Sequence, residues 1–147
     1  MRTLKTLLAS AALTSVIAMP VAAQNGPTTY DFEGSFDDAT FAVRNAIVQE
    51  GLVVDFVSHV GDMLNRTRED VGGEKHFDAA DIFIFCSAVV TREVLAEDPM
   101  NVAQCPYGIF VTEREGEVKI GYRDYPDGAM EKVEQLLDKI VNDAIEQ

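Results

Sequence analysis

Two cysteines, Cys86 and Cys105, are the residues of this sequence whose type and position best suit chemistry. Cys86 follows an apolar segment and Cys105 precedes another, so both lie at the ends of predicted strands. Two thiols are the minimum for one disulfide, and a bridge here would stabilise the fold by about 3 kcal/mol by restricting the unfolded chain. A Cys86–Cys105 disulfide is the first hypothesis for the pair.

A soft-metal or haem site is the second hypothesis. Thiolate and thioether sulfur favour Cu(I), and Met100 lies close before Cys105 in the sequence. With the imidazole of His59, the hypothetical ligand set is Cys86, Met100, Cys105 and His59, and the cofactor would be copper or haem. The sequence has no Cys-x-x-Cys, Cys-x-x-Cys-His or His-x-x-x-His motif that would require such a site.

Two further hypotheses remain open for the cysteines. Cys86 could attack a substrate disulfide while Cys105 resolves the product, although the acidic composition disfavours the thiolate that this attack needs. Alternatively, both cysteines are free and buried as small apolar residues. The sequence contains no Gly-x-Ser-x-Gly elbow and no phosphate-binding glycine loop, so we predict no catalytic residue and favour a binding role over an enzymatic one.

Charge and composition limit the possible partners. The 147-residue chain has 12 Lys+Arg against 25 Asp+Glu, a net charge of -13. Such a surface disfavours nucleic acid and anionic membranes, because both are bound largely through Lys and Arg. Hydrophobic residues make up 47% of the chain, which supports a packed core and excludes a disordered acidic tail. No repeat or flexible linker interrupts it, so we expect a single domain over residues 24–147.

Residues 1–23 have the features of a secretory signal peptide. Arg2 and Lys5 form a basic start, residues 7–19 are uncharged and mostly apolar, and residues 21–23 are small enough for cleavage. The apolar segment is shorter than the roughly 20 residues that a membrane span requires. The sequence therefore predicts an exported protein, periplasmic or secreted, without membrane contact after cleavage.

Hydrophobic periodicity predicts the elements that position these residues. Strands are predicted at residues 30–33, 52–59, 82–86, 107–113 and 118–122, with the last two forming a hairpin. One long helix is predicted to begin at Phe36 and to end at Gly51. A second is predicted in the C-terminal segment that opens at residues 126–128 and has apolar residues from Met130 to Ala144 at helical spacing. Shorter helices are predicted at residues 61–70 and 91–97. This order indicates an α+β fold: a largely antiparallel sheet of about five strands with the two long helices packed on one face. In the second strand, alternation places Leu52, Val54 and Phe56 on one side.

The strand at residues 82–86 is apolar at every position, so both of its faces need cover. Leaving several such side chains in water would forgo about 1.5 to 3 kcal/mol for each of them. Three candidates could cover the second face: a second subunit, an apolar ligand, or the helical segment at residues 91–97. We expect a homodimer, and Phe83 and Phe85 are the predicted interface residues.

Several segments together are similar to the domain of unknown function 302 family. They are the helix start at residues 36–39 (Phe-Asp-Asp-Ala), residues 85–88 (Phe-Cys-Ser-Ala), residues 98–100 (Asp-Pro-Met) and residues 105–111 (Cys-Pro-Tyr-Gly-Ile-Phe-Val). The resemblance covers nearly the whole predicted mature chain. It implies a small α+β domain that is often exported, tends to form homodimers and has no agreed activity.

Overall fold

A computed structural model describes residues 26–147. The predicted signal peptide, residues 1–23, lies outside the described residues. The strands are β1 (Thr28–Phe32), β2 (Val54–Ser58), β3 (Ala79–Phe85), β4 (Tyr107–Arg114) and β5 (Glu117–Tyr122). The helices are α1 (Phe36–Gln49), α2 (Val60–Val71), α3 (Ala88–Glu97) and α4 (Glu131–Ile145), with a short 3₁₀ helix at Pro99–Gln104. None of the helices within this part of the chain is both long and apolar enough to cross a membrane.

The five strands form one sheet in the order β1-β5-β4-β3-β2, and each neighbouring pair is antiparallel. The two long helices, α1 and α4, pack against each other and against this sheet. The predicted α+β fold class is therefore confirmed. β4 and β5 join through Glu115 and Gly116, which both have positive φ (55° and 82°). A two-residue turn of this kind matches the right-handed twist of the strands it connects.

The start of α1 is fixed by a capping box. The Ser35 hydroxyl accepts a hydrogen bond from the Asp38 backbone N–H at 3.1 Å, and the Asp38 carboxylate accepts one from the Ser35 backbone N–H at 3.2 Å. The Ser35 hydroxyl also donates to that carboxylate, and these bonds lower the pKa of Asp38. From this start, one side of α1 enters the core through Ala39, Ala42, Val43, Ala46 and Ile47. Thr40, Phe41 and Arg44 therefore stay outside the core.

Alternation along β3 and β4 divides their side chains between two faces. Phe83 is 2% exposed and Phe85 is fully buried, and both belong to the core that the helices cover. Their cross-strand partners, Ile109 and Tyr107, are buried in the same core. The side chains that β3 presents outside the core are thus Ile82 and Ile84, and not Phe83 and Phe85, on which the interface prediction was placed.

The opposite side of the sheet, here called the open face, carries the remaining alternate side chains. On β3 and β4, Ile82, Ile84 and Phe110 are only half-buried there. The members of the open face are Thr29, Asp31, Phe56, Ser58, Ala80, Ile82, Ile84, Gly108, Phe110, Thr112, Arg114, Glu117, Lys119 and Gly121.

A bulge in β2 corrects one prediction. Val54 pairs with Phe85 and Phe56 pairs with Ile84, so Asp55 is an extra residue between them. The bulge breaks the period of two: Val54 and Val57 pack against the core, whereas Phe56 turns to the open face and is 63% exposed. Alternation had placed Phe56 on the same side as Leu52 and Val54.

The short helices leave most of the open face uncovered. α3 packs against α4, and its Val94 belongs to the core, so α3 lies on the helical side of the sheet. It is therefore not the cover for the second face. α2 contacts β3 near its first turn, where Gly61 lies against the backbone of Ala79 and Ala80. Beyond that turn, α2 is mostly exposed.

Gly121 is required where the Phe110 ring crosses β5. A Cβ at this position would lie 2.6 Å from Phe110 Cζ and would also overlap the Thr28 carbonyl oxygen. Gly121→Ala should therefore lower the free energy of unfolding by about 1 to 3 kcal/mol, the usual range for overpacking, as measured by urea denaturation. Gly108→Ala is the matched control on the neighbouring strand, because its Cβ would meet Ile82 Cγ2 at an ordinary 3.4 Å. Equal losses in the two variants would contradict this account.

Candidate functional site

Cys86 and Cys105 form a disulfide with a Cα–Cα distance of 6.6 Å. Cys86 directly follows β3 and Cys105 ends the 3₁₀ helix just before β4. The bridge thus closes a loop that contains α3 and the 3₁₀ helix, and it holds this loop to two adjacent strands. The first hypothesis for the cysteines agrees with this geometry, and both sulfur atoms are engaged with each other.

The structure does not bring the four hypothetical metal ligands together. His59 lies beside Asp81, which precedes Cys86 by five residues on an extended strand, or about 16 Å at 3.3 Å per residue. Met100 is 70% exposed. Within residues 26–147, no group of three His, Cys, Asp or Glu side chains is placed to hold a metal ion.

The disulfide should be measurable both as a bond and as a source of stability. In denaturant without reductant, the protein should contain no titratable thiol, and after reduction it should contain two. The Cys86→Ser/Cys105→Ser variant should be less stable than the oxidised protein by about 3 kcal/mol, because the unfolded chain regains its loop entropy. The reductant alone should leave the stability of this double variant unchanged. Two free thiols in the untreated protein would refute the assignment.

A cleft of about 300 Å³ lies between α1 and the sheet at β2 and β3. Two of its members are residues to which the sequence had pointed: His59 as a metal ligand and Phe83 as an interface residue. Its lining residues are Thr40, Phe41, Arg44, Val57, His59, Asp81 and Phe83.

His59 and Asp81 form a hydrogen-bonded pair in this cleft. His59 is the residue between β2 and α2, and its Nδ1 lies 2.8 Å from Asp81 Oδ1. Because a carboxylate can only accept, this contact assigns the hydrogen to Nδ1 and leaves Nε2 as the free polar atom of the ring. The Asp81 side chain is 15% exposed and that of His59 is 61% exposed. The half-buried carboxylate therefore orients an imidazole that solvent and ligands can reach.

Arg44 supplies a positive charge to the same cleft. Its Cζ lies 5.5 Å from the centroid of the Phe83 ring, within the range of a cation–π contact. Among the ion pairs and side-chain hydrogen bonds of residues 26–147, none involves the Arg44 guanidinium. Its donors are therefore available to a ligand.

The cleft combines groups that are far apart in the sequence. The oriented imidazole can accept a proton or a hydrogen bond at Nε2, and the guanidinium can bind an anion through paired N–H donors. The Thr40 hydroxyl donates to the Asp37 carbonyl at 3.0 Å and can therefore only accept from a ligand, and Phe41 adds apolar surface. Sequence reasoning missed Arg44 and Asp81 because no local motif joins them to His59. The position of Asp81 at the start of an apolar strand was the one available signal.

A second polar cluster joins the sheet to α4. The hydroxyls of Tyr30 and Tyr122 both donate to Asp138 Oδ1, the latter at 3.1 Å, and Asn142 donates to Oδ2 at 3.2 Å. These bonds connect β1 and β5 to the helix. Both carboxylate oxygens of Asp138 thus accept hydrogen bonds from the protein itself, which indicates a structural role.

The Asp138 cluster predicts a particular pattern of tyrosine ionisation. The hydrogen bond to Asp138 is the largest cause that raises the pKa of Tyr30, whereas burial is the largest cause for Tyr122. Asp138→Asn should therefore return the pKa of Tyr30 further toward its ordinary value of 10 than that of Tyr122, as followed by ring NMR signals during alkaline titration. Since both folded-state pKa values are raised, the stability that they contribute is complete below pH 10 and is lost as the pH rises through the folded-state values.

Asp127→Asn is the control for this titration, because Asp127 is exposed in the loop before α4. It should leave both tyrosine titrations unchanged. Equal shifts of Tyr30 and Tyr122 in the Asp138→Asn protein would contradict the stated causes.

The fold and its sites define a small α+β domain with one antiparallel sheet, a helical layer and a cleft at the edge of the sheet. The family model described as "Domain of unknown function DUF302" matches residues 28–147, so the chain belongs to this family. A solved structure with a similar fold is the crystal structure of the uncharacterized conserved protein DUF302 from Bacillus stearothermophilus. It has 17% sequence identity and a TM-score of 0.61, and the match covers 82% of this chain and 95% of the other. A search of curated proteins found no match.

Proposed function

We propose that this protein is an exported binding domain that works as a homodimer, and that two copies join through the open faces of their sheets. The observation that carries the proposal is the exposed apolar surface formed by Phe56, Ile82, Ile84 and Phe110. Contiguous apolar patches on monomeric proteins are usually small, and larger ones are typical of interaction sites.

The charge of the open face supports a second copy of the chain as the partner. Lys119 forms an ion pair with Asp31, and Arg114 lies opposite Glu117 in the strand register. These four charges cancel, whereas the whole chain has a net charge of -13. Two acidic molecules can therefore approach each other through this face with less electrostatic repulsion than through the rest of their surfaces.

The shape of the open face also favours sheet-on-sheet packing. Gly108 and Gly121 lack side chains on adjacent strands, and the Phe110 ring lies over Gly121. Because no side chain projects from these two positions, a second sheet can approach to about 10 Å, the usual spacing between stacked sheets. Five strands about 4.8 Å apart and six residues long give a face of about 24 by 20 Å. This flat area of about 480 Å² per subunit is at the lower end of the size range of specific interfaces.

Export is supported by the sequence of residues 1–23 and by the disulfide. Disulfides persist mainly in oxidising compartments such as the bacterial periplasm and the extracellular space. Copper or haem bound through Cys86 and Cys105 would first require reduction of their bond, so the proposal places no metal there. Thiol-redox chemistry would use this bridge as its oxidised state, but the acidic composition disfavours the thiolate that it needs after reduction.

Phe56→Asp tests the dimer interface without disturbing the core. Because Phe56 is already 63% exposed in the single subunit, its replacement should leave the fold intact. At the interface, the new carboxylate would be buried without a partner, a cost of several kcal/mol. The dissociation constant of the dimer should therefore rise by about 100-fold or more, as measured by sedimentation over a range of concentrations.

Val89→Asp is the matched control. Val89 is 67% exposed and lies on α3, on the helical side of the sheet, so this variant should dimerise like the original protein. A protein that is monomeric throughout the concentration range, or a Phe56→Asp variant with unchanged self-association, would overturn the proposed assembly.

A further inference from the structure

We propose that the cleft beside His59 binds a small organic anion, namely a carboxylate carried on an aromatic or branched apolar group, and that Arg44 holds the carboxylate. The inference does not depend on the dimer. The cleft is lined by α1 and by core-side residues of β2 and β3, so it lies on the opposite side of the sheet from the open face.

Arg44 carries the specificity for an anion. A guanidinium has five N–H donors in a planar fork that matches the two oxygens of a carboxylate. The chain contains 25 Asp and Glu residues, yet none of those within residues 26–147 forms an ion pair with Arg44. The contact with Phe83 holds the guanidinium at the wall of the cleft and leaves its N–H groups free for a ligand.

The apolar lining requires more than a simple inorganic ion. Phe41 is 68% exposed although it lies beside the cleft, and Val57 and Phe83 form the adjacent wall. Covering Phe41 with an apolar group would gain hydrophobic free energy that a hydrated phosphate or chloride cannot provide. At about 300 Å³, the cleft is at the lower limit of small-molecule sites, so the ligand is small.

His59 and Asp81 place one further polar atom, His59 Nε2, at a defined position in the cleft. Asp81 accepts the hydrogen of Nδ1 and thereby fixes the ring, so Nε2 remains available as an acceptor for an O–H or N–H group of the ligand. Asp81 acts through His59 and is a positioning residue. The single carboxylate of the cleft is already engaged in this bond, which disfavours a cationic ligand.

Binding can be tested with benzoate as the probe. Isotope-labelled protein is titrated with sodium benzoate while the backbone amide signals are followed by NMR. Saturable shifts are expected at Thr40, Arg44 and His59, with a dissociation constant below about 1 mM. Acetate has the charge without the ring and benzyl alcohol has the ring without the charge, so each should bind at least about 10-fold more weakly.

Two substitutions of Arg44 separate charge from geometry. Arg44→Gln should weaken benzoate binding by about 10-fold or more, and Arg44→Lys should have an intermediate effect because it keeps the charge but loses the planar fork. Arg92→Gln, an exposed arginine on α3, is the control and should bind as the original protein does. The amide spectrum of each variant reports whether it is folded. If Arg44→Gln is unfolded, benzoate binding by Arg44→Lys tests whether Arg44 binds the carboxylate.

Three results would overturn the inference: no saturable shifts in the cleft, unchanged binding by a folded Arg44 variant, or equal weakening by Arg92→Gln. Phe56→Asp keeps the cleft intact, so benzoate binding by this variant separates a failure of the cleft from a failure of the dimer.

Discussion

The register between β3 and β4 is the constraint on which the rest of the structure depends. Phe83 pairs with Ile109 and Phe85 with Tyr107, and this places all four side chains under the helices. Because side chains alternate along a strand, a shift of one residue would exchange the core face and the open face. The same register puts Asp81 on the helical side, where His59 reaches it, and carries Cys86 to the end of the sheet beside Cys105.

The order and type of the elements follow from the sequence because their patterns are local. The capping box at Ser35 and Asp38, the apolar side of α1 and the hairpin turn at Glu115 and Gly116 are each encoded within a few residues. The disulfide could be stated as one of several hypotheses, since two cysteines at strand ends allow it. The choice among those hypotheses required the distance between the two strand ends, which no local pattern contains.

Other features escaped sequence reasoning for identifiable physical reasons. Residues 82–86 are continuously apolar, so their pattern cannot distinguish the face of Phe83 from the face of Ile84; burial under α1 and α4 decides it. The bulge at Asp55 moves the Phe56 side chain to the opposite face of the sheet. Nothing in the alternation of the neighbouring residues predicts this extra residue. The cleft joins Arg44, His59 and Asp81 from three different elements, and only the tertiary packing of α1 beside β2 and β3 brings them together.

In the proposed assembly, the two sides of the sheet have different physical roles. The open face combines apolar side chains on β2, β3 and β4 with balanced charges on β1, β4 and β5, which suits a second sheet, whereas the helical side carries a charged cleft that suits a small ligand. In a dimer joined through the open faces, the two clefts would lie on the outer sides, and each would be built from one subunit alone. Since neither cleft borrows a residue from the other copy, binding at one site would change the other only through the shared sheets. Because each cleft is complete within one subunit, the geometry favours two independent sites over a cooperative pair.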